Sequence, residues 1–143
     1  MKTEAFALEM RSWLLRPRIL HRLPGRLRLW FPALKQIDHV QREWAFVVRD
    51  LLGSPAEIQT VEVNLTTGSV LIRYHADQLT ETELLAFLRA VNHVVIRYWD
   101  RLAATPQAKL PDVLRRLGCA IRTGTRHRLV LDDNFEISED VWA

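Results

Sequence analysis

The stretch ILHRLPGRLRLWFP, residues 19–32, decides the fold of this 143-residue chain. From residue 26 to residue 31, leucine and phenylalanine alternate with arginine and tryptophan. A period of two is typical of a β-strand with one apolar face and one polar face. Pro24 and Gly25 interrupt the alternation, and because proline cannot donate a ladder hydrogen bond, we predict that the strand bends or starts afresh there.

The composition indicates a folded domain with a sizeable core, since 48% of the residues are hydrophobic and 26% are charged. Cys119 is the single cysteine. It excludes an intrachain disulfide and a cysteine-rich zinc or iron–sulfur site within one chain, and it fits a reducing compartment. Residues 1–16 do not resemble a secretory signal, and no apolar run approaches eighteen residues. We therefore expect a cytoplasmic protein, at most peripheral to a membrane.

The charge of the chain is segregated between its ends. Residues 1–31 hold seven basic and two acidic residues, whereas residues 132–143 hold five acidic residues and no base. Such segregation indicates that two parts of the chain or of two copies meet, or that the basic part meets an acidic partner. An equally good alternative is that the basic and the acidic region are separate solvated surfaces that never touch.

Helix and turn signals follow the first strand. Asp38 is a candidate N-cap for a helix that ends at Gly53, and Thr80 with Glu83 predicts a capping box at the start of a second helix. Between these helices, alternation on both sides of the Thr-Thr-Gly turn at residues 66–68 predicts a β-hairpin.

Residues 92–104 permit two readings. They contain strong strand formers, which favours a fourth strand, but their apolar residues also keep helical spacing, so one long helix is the alternative. Beyond Pro106, a helix is predicted over residues 110–117, ending at Gly118, followed by a hairpin around residues 123–125 and an acidic end.

The predicted order of strand, helix, strand, strand, helix and strand gives an α+β fold. It is the split β-α-β pattern of a ferredoxin-like sandwich, in which two helices cover one face of an antiparallel sheet. The domains are predicted as an amphipathic N-terminal extension, the ferredoxin-like domain and a C-terminal helix and hairpin extension, at residues 1–18, 19–104 and 105–143.

Three phrases together resemble a divergent subgroup of the heavy-metal-associated domains. They are HRLPGRLRL at residues 21–29, VNLTTGSVLI at residues 63–72 and the helix start LTETELL at residues 79–85. Such domains occur as small bacterial proteins and at the N-termini of P-type metal-transporting ATPases. The resemblance covers residues 19–91 and implies a ferredoxin-like fold and a role in metal homeostasis.

The chain departs from that family at the metal loop. Standard members bind a soft ion through a Cys-x-x-Cys pair between the first strand and the first helix. Here residues 30–36 read WFPALKQ, without a sulfur ligand, so the usual metal-chaperone chemistry does not carry over. The Pro-Gly-Arg-x-Arg phrase resembles an arginine-bearing variant of ATPases linked to bacterial iron storage compartments, which implies iron by association.

In a fold of this type, the polar phase of the strands lies on the sheet face that the helices leave open. The residues predicted to bind a partner there are Arg22, Arg26, Arg28, Trp30 and Arg73. Arginines can bind phosphate bidentately or stack on bases, so a nucleic-acid or anionic-lipid binding module is one alternative. RNA-recognition domains use several aromatics on this face, and only Trp30 qualifies here. Another alternative is that the acidic C-terminal segment of the same chain covers this face.

A metal site is a further alternative. His21 and His75 could approach one another if their strands pair, with Asp77 or water completing the shell around Zn, Cu or Fe. No cofactor is otherwise indicated.

Catalytic motifs are missing from the sequence, which has no Gly-rich phosphate loop, His-Glu-x-x-His pattern or nucleophile elbow. Cys119 is predicted to be a small core residue. We therefore expect a non-enzymatic accessory or adaptor protein for metal transport or storage. Its expected partner is a metal-transporting ATPase, a shell or membrane protein, or a second copy.

Overall fold

A computed structural model describes residues 18–31, 39–127 and 135–143. The described elements are β1 Arg18–Leu23, β2 Arg26–Trp30, α1 His39–Leu52, β3 Ile58–Asn64, β4 Ser69–Tyr74, α2 Glu81–Arg97, α3 Trp99–Ala104, α4 Leu110–His127 and a 3-10 helix Glu139–Trp142. The predicted cap Asp38, most of the predicted N-terminal extension and residues 128–134 lie outside these ranges.

The four strands form one antiparallel sheet in the order β1-β2-β4-β3. The apolar phase of β2 and β4 and the inner sides of α1 and α2 share one buried core, which places both helices on the same side of the sheet. The predicted α+β class, with a ferredoxin-like split β-α-β unit made by β2, α1, β3, β4 and α2, is confirmed.

The sheet takes its fourth strand from the N-terminal side. The chain reverses at Pro24 and Gly25, so the two halves of the stretch at residues 19–32 are separate strands paired as a hairpin. Gly25 has φ +79°, and its carbonyl accepts a hydrogen bond from the Tyr74 amide. A Cβ at Gly25 would lie 2.8 Å from the Tyr74 carbonyl oxygen. Glycine is therefore required both for the turn and for its approach to β4.

The preference for a fourth strand at residues 92–104 was wrong. Helix α2 continues to Arg97 and α3 follows after a single residue, so the helical alternative is the closer one. Leu84, Leu88 and Val91 lie on the buried side of α2, and Val95 continues this stripe. The β-branched residues prefer strands, but here they lie in a helix because helical spacing places their side chains on the buried side of α2.

The hairpin predicted after Gly118 was also wrong, because α4 is one helix through residue 127. Gly118 does not end the helix but lets α4 approach the end of α1. A Cβ at this position would lie 2.5 Å from the Ser54 Cβ and 2.8 Å from the Leu51 carbonyl oxygen. Cys119, predicted as a core residue, is exposed on α4.

Several local predictions are confirmed. Helix α1 ends at Leu52 before Gly53, and β3 and β4 flank the turn in which Gly68 has φ +74°. Thr80 caps α2 with both bonds of a capping box, since its side chain accepts from the Glu83 amide and the Glu83 carboxylate accepts from the Thr80 amide.

Candidate functional site

The sheet face opposite α1 and α2, called here the open face, carries twelve side chains in three cross-strand rows. In the strand order β1, β2, β4, β3, the rows are Arg18, Trp30, Ser69, Asn64; then His21, Arg28, Leu71, Glu62; then Leu23, Arg26, Arg73, Thr60. The rows follow from the registers, because directly opposed residues project from the same face. Four of the twelve are arginines and one is a carboxylate.

Trp30 is held at one corner of the open face. Its indole Nε1–H donates to the Thr67 carbonyl oxygen at 3.1 Å, and the Arg18 guanidinium lies 5.5 Å from its ring centroid. This cation–π contact makes Arg18 part of the site. The sequence interpretation missed Arg18. The turn at Pro24 and Gly25 alone would pair residue 18 with residue 31. A register shift between Ile19 and His21, which the alternation does not predict, places Arg18 opposite Trp30.

The arginines at the centre of the open face are weakly compensated. Arg26 lies directly opposite Arg73, and like charges in that position repel one another. Arg73 has an exposed ion pair with Glu62 at 3.7 Å, and Arg28 donates to the Ser69 hydroxyl at 3.5 Å. Within the described residues, no carboxylate lies within ion-pair distance of Arg26 or Arg28. The predicted residues Arg26, Arg28, Trp30 and Arg73 are thus together on an exposed face.

Arg22 was wrongly assigned to this group. It pairs in register with Leu27, whose side chain is buried in the core, so it projects to the helical side of the sheet. There its Nε lies 3.4 Å from the Glu81 carboxylate at the start of α2. The sequence predicts a break at residues 24–25, but the placement of Arg22 still continued the phase of β2, and the reversal there shifts that phase by one residue.

The two histidines of the metal alternative are not brought together. His21 is on β1, opposite Arg28 of β2. His75 follows the far end of β4, which is two strands away from β1. Strand spacing and rise place them roughly 16 Å apart, beyond the reach of a shared ion. Among the described residues, no group of three His, Cys, Asp or Glu side chains could hold a metal ion.

The described part of the acidic end does not cover the open face. Residues 135–143 lie against the helices, where Arg101 binds Glu139 through two hydrogen bonds of 2.8 and 2.6 Å. The Arg101 guanidinium also lies 4.7 Å from the Trp142 ring centroid, and Arg116 donates to the Val141 carbonyl. For these residues, the alternative of an intrachain cover was wrong.

A buried ion-pair cluster lies on the helical side of the molecule. Arg122 of α4 is 4% exposed and donates to Glu57 at 2.8 Å and to Glu83 at 3.1 Å, while Arg126 also reaches Glu57 at 3.2 Å. Burial alone would raise the pKa of Glu57, but hydrogen bonds from its backbone amide and from Arg122 outweigh it, and the pKa lies below 4.5. The cluster ties α4 to the segment before β3 and to the start of α2.

This cluster predicts an acid-sensitive fold. A lowered folded-state pKa means that the stabilisation by Glu57 is complete above about pH 4.5 and is lost as the pH falls through the folded-state pKa. We expect the free energy of unfolding, measured by urea titration, to fall below that pH, and to fall less steeply for Glu57→Gln. Glu136→Gln, at an exposed carboxyl, is the matched control. Equal slopes for Glu57→Gln and the unsubstituted protein would contradict the assignment.

Comparisons with known proteins support one relationship. The family "heavy metal associated domain 2" matches residues 17–118, which is more than two thirds of the chain. No curated protein and no solved structure matches it. In the part of the chain that the structure describes, no helix is long and apolar enough to cross a bilayer. The matched region contains the whole open face, and its extent shows that the chain belongs to the heavy metal associated domain 2 family.

Proposed function

We propose that this protein is a non-enzymatic accessory protein of metal transport or storage that docks a protein partner through the open face. Its family relates it to metal handling in general. Iron is the metal suggested by the Pro-Gly-Arg-x-Arg resemblance. The observation that carries the proposal is the exposed group of Arg18, Arg26, Arg28 and Arg73 around Trp30, with Glu62 as the single acid.

The single cysteine favours docking over metal carriage. A two-thiolate site within one chain needs two cysteines, and the single Cys119 lies on the exposed side of α4. A protein partner can instead supply the acidic groups that would neutralise the arginines of the open face. Carboxylates placed between Arg26, Arg28 and Arg73 would relieve the repulsion between them and form charge-assisted, bidentate hydrogen bonds.

A protein partner is favoured over nucleic acid for a specific reason. Single-stranded nucleic acid binds to sheets of this kind by stacking several bases on aromatic side chains. Of the twelve residues of the open face, only Trp30 and His21 carry aromatic rings, and Arg18 already lies against the Trp30 ring. The proposed partner is a metal-transporting ATPase, a shell or membrane protein, or a second copy, met in the cytoplasm or at a membrane surface.

The open face can be tested by charge reversal. We expect the double substitution Arg26→Glu, Arg28→Glu to remove specific partners from the set that the purified chain captures in extracts of its host. It should leave folding intact, because both positions are exposed on the sheet surface and the new carboxylate at position 26, directly opposite Arg73, replaces a repulsive pair with an attractive one. Quantitative mass spectrometry of the captured proteins provides the measurement.

The matched control is Arg89→Glu, Lys109→Glu, which makes the same charge change at exposed positions of α2 and just before α4. The proposal requires a partner that the control variant retains and the open-face variant loses. Identical partner sets for both variants would refute it. If the captured material is instead nucleic acid that nuclease treatment removes, the protein is a nucleic-acid binding module, and the docking proposal is wrong.

A further inference from the structure

We infer that β1 is a docking edge and that it accepts, as a fifth strand, an extended acidic segment of the partner protein. The inference rests on the proposed docking function and specifies how the partner binds. Strand addition at a sheet edge is a general mode of peptide recognition, in which main-chain hydrogen bonds give affinity and alternate side chains give specificity.

Strand β1 offers an unpaired edge. It pairs with β2 on one side, and within the described ranges no other strand pairs with its outer side. In an antiparallel ladder, every second residue directs its N–H and C=O away from the partner strand, so β1 presents a row of free backbone groups outward.

Apolar exposure distinguishes β1 from the other edge, β3. Leu20 and Leu23 are 49% and 50% exposed, and of the described residues only Phe46 joins them among exposed large apolar side chains. The open-face side of β3 carries polar residues, namely Thr60, Glu62 and Asn64. A strand added at β1 would cover these exposed leucine side chains, whereas β3 has no exposed large apolar side chain and its Val61 and Val63 are already partly buried.

Charge gives the chemistry of the partner. Positive charge is concentrated on β1 and β2, while Glu62 lies on the opposite edge. The open-face side chains of an added strand would lie beside Arg18 and His21, about 4.8 Å away in the strand-pairing direction. Carboxylates at these positions would be attracted, and the alternate side chains would face the same side as Ile19, which packs on the core.

The same charges disfavour a second copy as the fifth strand. Pairing two β1 strands would bring Arg18 and Arg22 of each copy to the same edge as those of the other, and like charges across strands are destabilising. An acidic strand gains from the charges that exclude a basic one.

The probe is an eight-residue peptide of alternating Glu and Val, with a Lys and Val peptide of the same pattern as its control. We expect the full-length protein to bind the acidic peptide and not the basic one, with amide exchange slowed in residues 18–23, as measured by NMR. Arg18→Glu should weaken binding by about tenfold or more, because it replaces an attraction with a repulsion. Arg89→Glu should leave binding unchanged.

Four outcomes would overturn the inference. The diagnostic amides are those of residues 18–23 that point away from β2, because the others already bond to β2. The four outcomes are no binding of the acidic peptide at millimolar concentration, binding without slowed exchange of these outward amides, slowed exchange of the same amides already in the free chain, and equal binding of a single-stranded RNA oligonucleotide. Slowed exchange in the free chain that depends on concentration would assign the edge to a second copy. If any of these occurs while the Arg26 and Arg28 reversal still removes a protein partner, the docking function stands and only the edge assignment fails.

Discussion

Replacing Arg122 with alanine should lower the free energy of unfolding by about 3 kcal/mol. The substitution leaves the Glu57 carboxylate, 6% exposed, without its main partner, and removing one member of a buried ion pair costs about 3–5 kcal/mol. The lower end is expected because Arg126, whose side chain is half exposed, remains within 3.2 Å of Glu57. Urea denaturation of the full chain measures the change.

Two further variants separate the buried cluster from surface charge. Arg115→Ala removes an exposed pair with Asp112 and should cost about 0.5 kcal/mol or less. Combining Arg122→Met with Glu57→Gln should cost less than the sum of the single substitutions, because neither partner is then left buried and charged. A loss below about 1 kcal/mol for Arg122→Ala would show that the cluster does not hold α4 in place.

Substituting Gly118 with alanine should be the other large effect, with a loss of about 1–3 kcal/mol. Alanine is the better helix former by about 1 kcal/mol, so a helix with space at this position would be stabilised. The added methyl group would instead lie 2.5 Å from the Ser54 Cβ and 2.8 Å from the Leu51 carbonyl, and backbone cannot move aside cheaply.

Gly53→Ala is the control for this prediction. At Gly53 an added Cβ would lie 3.4 Å from the Arg49 carbonyl oxygen and 3.9 Å from a Val61 methyl group, which is close to ordinary contact. Its φ is not in the left-handed region. We expect a change within about 0.5 kcal/mol. Stabilisation by Gly118→Ala in thermal or urea unfolding would contradict the close packing of α4 on α1.

The locally encoded elements could be predicted from the sequence. Period-two alternation identified β2, β3 and β4, and capping and turn residues placed the start of α2 and the turn at Gly68. The cap and the turn are determined by hydrogen bonds between near neighbours, and the alternation succeeds because successive side chains of a strand point to opposite faces of the sheet. Most of the open face followed, since each of its three rows contains one residue of the polar phase of β2, namely Trp30, Arg28 or Arg26.

Two of the errors come from contacts between residues distant in sequence, and the assignment of Arg22 comes from a local turn. A glycine after an apolar helical stretch is typical of a helix end. At position 118, however, the missing side chain allows α4 to pack closely against Ser54, which is distant in the sequence. Arg22 lies on the other side of the sheet because the Pro-Gly pair reverses the chain and shifts the phase of β1. Residues 92–97 pack as helix because the core on which they lie accepts helical spacing.

The surface used for docking can be located most directly by photo-crosslinking in the host, with a photoreactive phenylalanine analogue placed at Trp30 on the open face or, as the control, at Arg89 on α2. We predict a crosslinked protein partner from position 30 that is not captured from position 89. The Arg26→Glu, Arg28→Glu substitution should abolish that crosslink. Crosslinks of equal yield from both positions, or from position 89 alone, would contradict docking through the open face.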